Sequence, residues 1–406
     1  MDPRKLLHYV TSGILIGIAL GIFRQLIFGP LTLFEIESLP LFLVVALTAL
    51  LISQWIIDRH SILRGSGVPH VKSFLSGKRK IHPLKEGGLK FILIVILNNL
   101  GFSIGSAGPS VFIGASAGAI ASRNKLADQQ LLGVFAGAGL AAFFSAPLAG
   151  LALAWEEFGL KKDIRSLMRA ILIIFTAFGT SYVLFSKQLG LIPSELPRNI
   201  TWTVVITLIM ISLAATALGL IFKTLLLKSP AIIGGRFRLL FYYGLPLLFL
   251  LVARSLPEVA GGGIVLLKAI NLSTHYAVPI LSLLLFIKFA FTLSCVSTNI
   301  PAGLFMPALS IGGTVGALFL AVMVPEELAH TSLFIACGAS FFFYALMRRP
   351  LLSILITAEL FADYRMALFL LPIMFVIHLL LNPLNDAPLN EILHDLIDDT
   401  SDIPEL

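Results

Sequence analysis

The stretch Gly105–Ala119, GSAGPSVFIGASAGA, has the residue types that hold an anion without a full positive charge. Its Gly-Ser-Ala-Gly run ends at Pro109, and proline is favoured at the first helical position, where its missing N–H costs nothing. The residues just before Pro109 are therefore predicted to sit at a helix N-terminus. Their N–H groups lack intrahelical acceptors, and the positive end of the helix dipole points the same way. That combination attracts anions.

The elements that must position this turn are apolar. Residues 91–122 contain no Asp, Glu, Lys or Arg, and the helical signal FILIVILNNL stops at Gly101. Broken backbone at membrane depth is tolerated only where protein or a water-filled cavity surrounds it. Hydrophobic residues make up 57% of the 406-residue chain and charged residues 13%. A soluble domain carries about 25% charged residues, so an integral membrane protein is expected. At about 20 residues per spanning helix there is room for roughly ten to twelve segments.

The N-terminus MDPRKLLHYV runs straight into an apolar segment without a convincing cleavage site, so no separate signal peptide is expected. Apolar segments are predicted near 9–34 and 40–57, then a basic loop from Asp58 to Lys90 that marks the cytoplasmic side. A Gly/Ala-rich segment at 131–155 ends in Trp155-Glu156-Glu157, and a further span covers about 166–186. The proline-containing stretch 187–199 reads as an outside linker. Later spans fall near 201–227, 240–253, 277–294, 303–324, 331–346, 351–362 and 366–381. This divides the chain into a first membrane half (1–190), a second (191–385) and a short acidic cytoplasmic tail (386–406).

The tail holds seven acidic residues and no Lys or Arg, so the membrane portion is more basic than the net charge of +7 indicates. Its cations flank apolar spans, as the positive-inside rule expects, and do not call for nucleic acid. Cys295 and Cys337 stand alone in apolar stretches, and the eight His show no paired-ligand spacing. Neither a disulfide framework nor a metal site is expected.

The halves echo one another. GSGVPHVK (65–72) matches GGGIVLLK (261–268), GSAGPSVFIGASAGA (105–119) matches GLFMPALSIGGTVGA (303–317), and APLAGLALAWEEF (146–158) matches RPLLSILITAELF (349–361). Three matches in one order at nearly one offset predict an internal duplication. In transporters such repeats bring interrupted helices together near the bilayer midplane.

GSGVP at 65–69, GSAGP at 105–109 and GLFMP at 303–307, in this order, resemble the anion-site motifs of the CLC family of chloride channels and chloride/proton antiporters. The likeness covers about residues 5–385. It implies an all-α membrane fold, two inverted halves and a homodimer with one anion pathway in each subunit. It also implies chloride as the substrate and no cofactor. By this resemblance Ser66 and Gly67 offer donors to chloride from one side, Ala107 and Gly108 from another, and Leu304 and Phe305 through their N–H groups. The serine favours chloride, since nitrate-preferring relatives carry proline there. Two departures matter. The family's gating glutamate is replaced by Ala107, and the place of its pore tyrosine is matched by Asn385. Glu157, with adjacent Glu156, matches the internal proton-transfer position.

With no acid at 107, passive chloride conduction without obligatory proton exchange is the primary expectation. An antiporter with a substitute carboxylate (Glu35, Glu37 or Glu195) is the alternative. A non-conducting scaffold is a third reading. A membrane-embedded enzyme would need a nucleophile–base pair or a metal cluster, and enzymatic activity is not expected. A multi-pass protein of the inner or plasma membrane follows.

Overall fold

The computed structural model describes residues 3–29, 33–77, 82–122, 130–185, 196, 201–232, 240–272, 276–298, 300–323, 331–382 and 387–393. The first half contains α1 (Pro3–Phe28), α2 (Leu39–Arg59), α3 (Val68–Leu75), α4 (Pro83–Asn99), α5 (Ala107–Ala121), α6 (Gln130–Phe144), α7 (Pro147–Glu156) and α8 (Ile164–Phe185). The second contains α9 (Trp202–Ile232), α10 (Leu245–Ser255), α11 (Ile264–Leu272), α12 (Val278–Ser297), α13 (Phe305–Met323), α14 (Thr331–Met347), α15 (Pro350–Leu360) and α16 (Arg365–Leu381). Proline stands in the first turn of α2, α3, α4, α7, α10, α12 and α15. There its missing N–H leaves no helical acceptor unpaired.

Helices α1, α2, α8, α9, α12 and α13 are long and apolar enough to cross a membrane. Burial sorts them. The apolar windows of α2 and α8 are only 28% buried and turn residues such as Val44, Trp55, Met168 and Val183 outward, where lipid replaces water. That of α13 is 78% buried, and α5 is buried along most of its length. Helices α5 and α13, with α6 and α14 packed on them, therefore form the protein core. Small residues let their neighbours approach closely. A Cβ on Gly114 of α5 would lie 2.5 Å from the Cα of Gly139 on α6, and one on Gly312 of α13 would strike Gly338 on α14.

The duplication is written in the backbone. Gly65 (φ 58°) matches Gly261 (φ 61°), and Gly67 (φ 92°) matches Gly263 (φ 101°). The 3-10 turn Ser61–Leu63 before α3 matches Pro257–Val259 before α11. Ser145 (φ 56°) and Arg348 (φ 54°) are both left-handed and stand before the proline starts of α7 and α15. The sequence reading is corrected at the first of these: 131–155 is not one span, because Ser145 turns the chain and Pro147 starts a new helix. The basic stretch 58–90 is not one loop either, since it contains α3 and the first half of α4. The division between 190 and 191 lies outside the described residues.

Loops fix the sidedness. Arg254 at the end of α10 donates to the carbonyls of Phe34 and Ile36, both at 2.8 Å, in the loop between α1 and α2. That loop lies across the membrane from the basic N-terminus. Gly261 N–H in turn bonds Gly101 O at 2.9 Å, which brings the end of α4 to the same group of loops.

Candidate anion site

The glycine-rich turns meet. Gly105 N–H donates to Gly303 O at 2.7 Å, and Gly303 N–H donates to Gly105 O at 2.9 Å, an antiparallel bridge between the lead-ins of α5 and α13. Side chains are excluded there: a Cβ on Gly303 would lie 2.5 Å from Gly105 O and 3.1 Å from the Gly108 nitrogen. The third turn closes on them, since a Cβ on Gly108 would fall 2.5 Å from Ser66 Cβ. The N-termini of α3, α5 and α13 thus converge at one place. By its contacts with Ile104 O and Met306, Gly262 adds the N-terminus of α11.

Each residue singled out in these turns can be located. Ser66 is half-buried, and its Oγ accepts the Val68 N–H at 3.4 Å, a long cap that leaves the hydroxyl proton available. Gly67 is buried in the left-handed conformation that starts α3. Ala107 and Gly108 are buried in the first turn of α5. Leu304 and Phe305 are buried at the start of α13, where the Phe305 ring packs at a tilt against Phe343 with ring centroids 4.6 Å apart. Asn385 lies outside the described residues. Among the residues described, no carboxylate stands in these three turns.

Two buried lysines that the sequence reading missed brace these turns. Lys90, counted there as a loop residue, is fully buried in α4, and its Nζ donates to Leu63 O at 3.2 Å. Lys288, fully buried in α12, donates to Val259 O at 2.9 Å and Gly261 O at 2.6 Å. Both hold the segment leading into a glycine-rich helix start, in equivalent places of the two halves. Lys90 Nζ lies 3.2 Å from where a Gly67 Cβ would stand. An amine whose donors are spent on carbonyls fixes these lead-ins and leaves the helix starts themselves to hold an anion.

The acidic pair Glu156-Glu157 sits elsewhere. Glu156 closes α7 and accepts the Leu351 and Leu352 N–H groups at 3.1 and 2.8 Å, capping α15. Glu359 closes α15 and accepts the Leu148 and Ala149 N–H groups at 2.9 and 2.8 Å, capping α7. The two repeat-related glutamates exchange caps across an antiparallel helix pair. Glu157 is held by Lys72 at 2.9 Å, Arg349 at 2.7 Å and the Asn390 amide at 3.1 Å. Glu391 joins through Arg349 at 2.7 Å, so the beginning of the acidic tail, with Leu389 buried, packs onto the body. The carboxylate of Glu157 is thus tied to α3 through Lys72, but it does not enter the cluster of helix starts.

The letters G-x-S-x-G do occur, at Gly114–Gly118, but within α5 and not at the strand-to-helix turn that exposes a nucleophile. Among the described residues no group of His, Cys, Asp and Glu is arranged to hold a metal.

Three comparisons bear on this arrangement. The family model described as voltage gated chloride channel matches residues 47–380. A curated relative, the H(+)/Cl(-) exchange transporter ClcA of Salmonella arizonae, is 28% identical over 325 residues, 75% of this chain and 67% of the relative. The solved structure of a slow cyanobacterial Cl-/H+ antiporter superposes with a TM-score of 0.86 at 21% identity, covering 99% of this chain and 100% of that one. A CLC-type fluoride/proton antiporter gives 0.73 at 21% identity, over 94% and 96% of the two chains. With the inverted halves, the broken helices and a family match over most of its length, the chain belongs to the voltage-gated chloride channel (CLC) family, as a multi-pass anion transporter of the cell membrane.

Proposed function

We propose that this chain exchanges chloride for protons. The convergence of the α3, α5 and α13 N-termini around the Gly105–Gly303 bridge supports the chloride half of that reading. Around the ion we place the Ser66 hydroxyl and the backbone of Gly67, Ala107, Gly108, Leu304 and Phe305. The proton half is supported by the named activity of the curated relatives, which are H(+)/Cl(-) exchangers. It replaces passive conduction as the primary reading. Passive conduction keeps one specific observation in its favour: Ala107, at the start of α5, cannot titrate or compete with the anion.

The protein acts as a transporter and not an enzyme, and needs no cofactor. Its assembly is a homodimer. The large apolar side chains that α8 and α16 turn outward, among them Phe175, Val183, Leu368 and Phe375, offer faces that a second copy can cover. Parallel chloride and proton flux from liposomes tests the central reading. A chloride gradient that drives protons uphill is the expected result. Rapid chloride dissipation with no proton movement would instead establish the passive reading.

A further inference from the structure

Exchange without an acid at 107 needs a titratable group somewhere on the outer approach. Glu35 and Glu37, expected from sequence as substitutes, are both exposed in the loop between α1 and α2. Glu195 lies outside the described residues. A different acid occupies a more telling place. Glu258 stands in the 3-10 turn Pro257–Val259, immediately before the Gly261–Gly263 loop. That loop touches both broken helices: Gly261 N–H bonds Gly101 O on the path into α5, and Gly262 abuts Ile104 O and Met306. The same segment is fixed to the outer side, since Arg254 bonds the carbonyls of Phe34 and Ile36. The inverted repeat agrees, because the matching turn Ser61–Leu63 follows α2 on the basic, cytoplasmic side.

Glu258 is half-exposed as a residue, yet its Oε2 is buried and has no hydrogen-bond partner among the described residues. Buried carboxylate oxygens are ordinarily paired, so a lone one calls for an explanation. The charged residues on the elements packed against this turn are Arg254 on α10, Lys268 on α11 and Lys288 on α12, with Glu35 and Glu37 in the loop that Arg254 holds. Arg254 and Lys288 spend donors on carbonyls, Lys288 on Val259 and Gly261 beside Glu258 itself. They hold the turn in place.

We propose that Glu258 is the outer proton-binding residue of this transporter, standing in for the carboxylate that position 107 lacks. A proton from the outer solution adds to Oε2, and on release that O–H bond breaks and the proton passes to water in the anion pathway; no other bond is made or broken. The neutral acid lets chloride approach the helix starts from outside, and the ionised form repels it. This rests on the exchange reading, and it adds to that reading the identity of the group.

The test is chloride and proton flux, measured in parallel in liposomes across a range of external pH, for the wild-type protein and Glu258→Gln. The expected result is coupled proton movement in the wild type, cut at least tenfold in Glu258→Gln, whose chloride flux no longer responds to external pH. Equal proton flux and equal pH profiles in the two proteins overturn the proposal. If the wild type moves chloride and no protons, the exchange reading fails by itself. Glu258 is then judged by chloride flux alone: an external-pH response lost in Glu258→Gln supports it, and a response absent from the wild type or unchanged by the substitution overturns it. Should Glu258→Gln fail to fold, Glu258→Asp is the second measurement. A displaced pH midpoint supports the assignment and an unmoved one refutes it.

Discussion

Phe305 opens the second broken helix with its ring packed against Phe343, while the matching place in the first half is Ala107, with nothing beyond a methyl group. Around these two positions the halves are nearly the same. The glycine conformations, the lead-in turns, the buried lysines and the bridge all repeat. The backbone frame is thus held constant by duplication, and side chains at equivalent points are free to diverge. What is symmetric builds the anion site; what is asymmetric decides how ions are admitted to it.

The comparison is broken most severely at its symmetric centre. Gly303→Ala or Gly105→Ala would drive a Cβ into the opposite carbonyl, at 2.5 and 2.7 Å respectively, where backbone cannot yield cheaply. Each should cost about 3 kcal/mol or more and abolish flux. Thermal unfolding in detergent is the check, with Gly88→Ala on α4 as the control, because nothing lies within 4 Å there. The control should be neutral or raise stability by about 0.5–1 kcal/mol.

The exchanged caps share the same pair of backbone bonds, with Glu359 also accepting the Tyr364 hydroxyl at 3.0 Å, and should weigh nearly alike. Glu156→Gln and Glu359→Gln are each expected to lower stability by about 1–2 kcal/mol, since each weakens two charge-assisted bonds to a helix start. Unfolding midpoints test the equality, and flux assays test the role. A cap changes stability and leaves the proton-to-chloride ratio intact, whereas a proton carrier at Glu156 would change the ratio.

The asymmetric position sharpens the contrast. Ala107→Glu puts a carboxylate on the first turn of α5, where it competes with the anion for the same N–H groups. Chloride flux should fall about tenfold, equivalent to ~1.4 kcal/mol, and recover as the acid is protonated. Chloride efflux against pH measures it. No matching effect is expected from a polar substitution of Phe305 outside its loss of packing.

The smallest effect belongs to a residue outside both halves of the site. Asp163, ahead of α8, accepts the Ser166 N–H at 2.9 Å, and hydrogen bonding to Ser166 holds its carboxyl below the usual range. A depressed carboxyl contributes stability that is complete above its ordinary pKa, about 3.9, and is lost as pH falls through the folded value. Asp163→Ala should therefore lower the unfolding midpoint slightly at neutral pH and not at all in strong acid. Melting curves at the two pH values are the check.

Sequence made the broken helices legible because glycine before proline has few other uses in an apolar run. It also paired Glu156 with Glu359 by position. It could not show that each caps the other's helix, because the acceptors' partners are backbone N–H groups with no side-chain signature. Lys90 was hidden by its company: it ends a run of basic residues that reads as facing the cytoplasm, and only packing shows that it turns inward. The break at Ser145 was masked by the small residues around it, although the equivalent break at Arg348 stood out because charge interrupts the pattern there. Glu258 had no motif to announce it.

The exchanged caps also set an order of events during synthesis. The N-terminus of α7 is completed by Glu359, which lies 211 residues beyond Leu148. At about 5–20 residues per second, a nascent chain waits roughly 10–40 s between making that helix start and making its cap. During that interval the first half is in the membrane with an unfilled helix end. The joining of α7 with α15 thus cannot precede the synthesis of residue 359, and a chain truncated before it would keep the start of α7 uncapped.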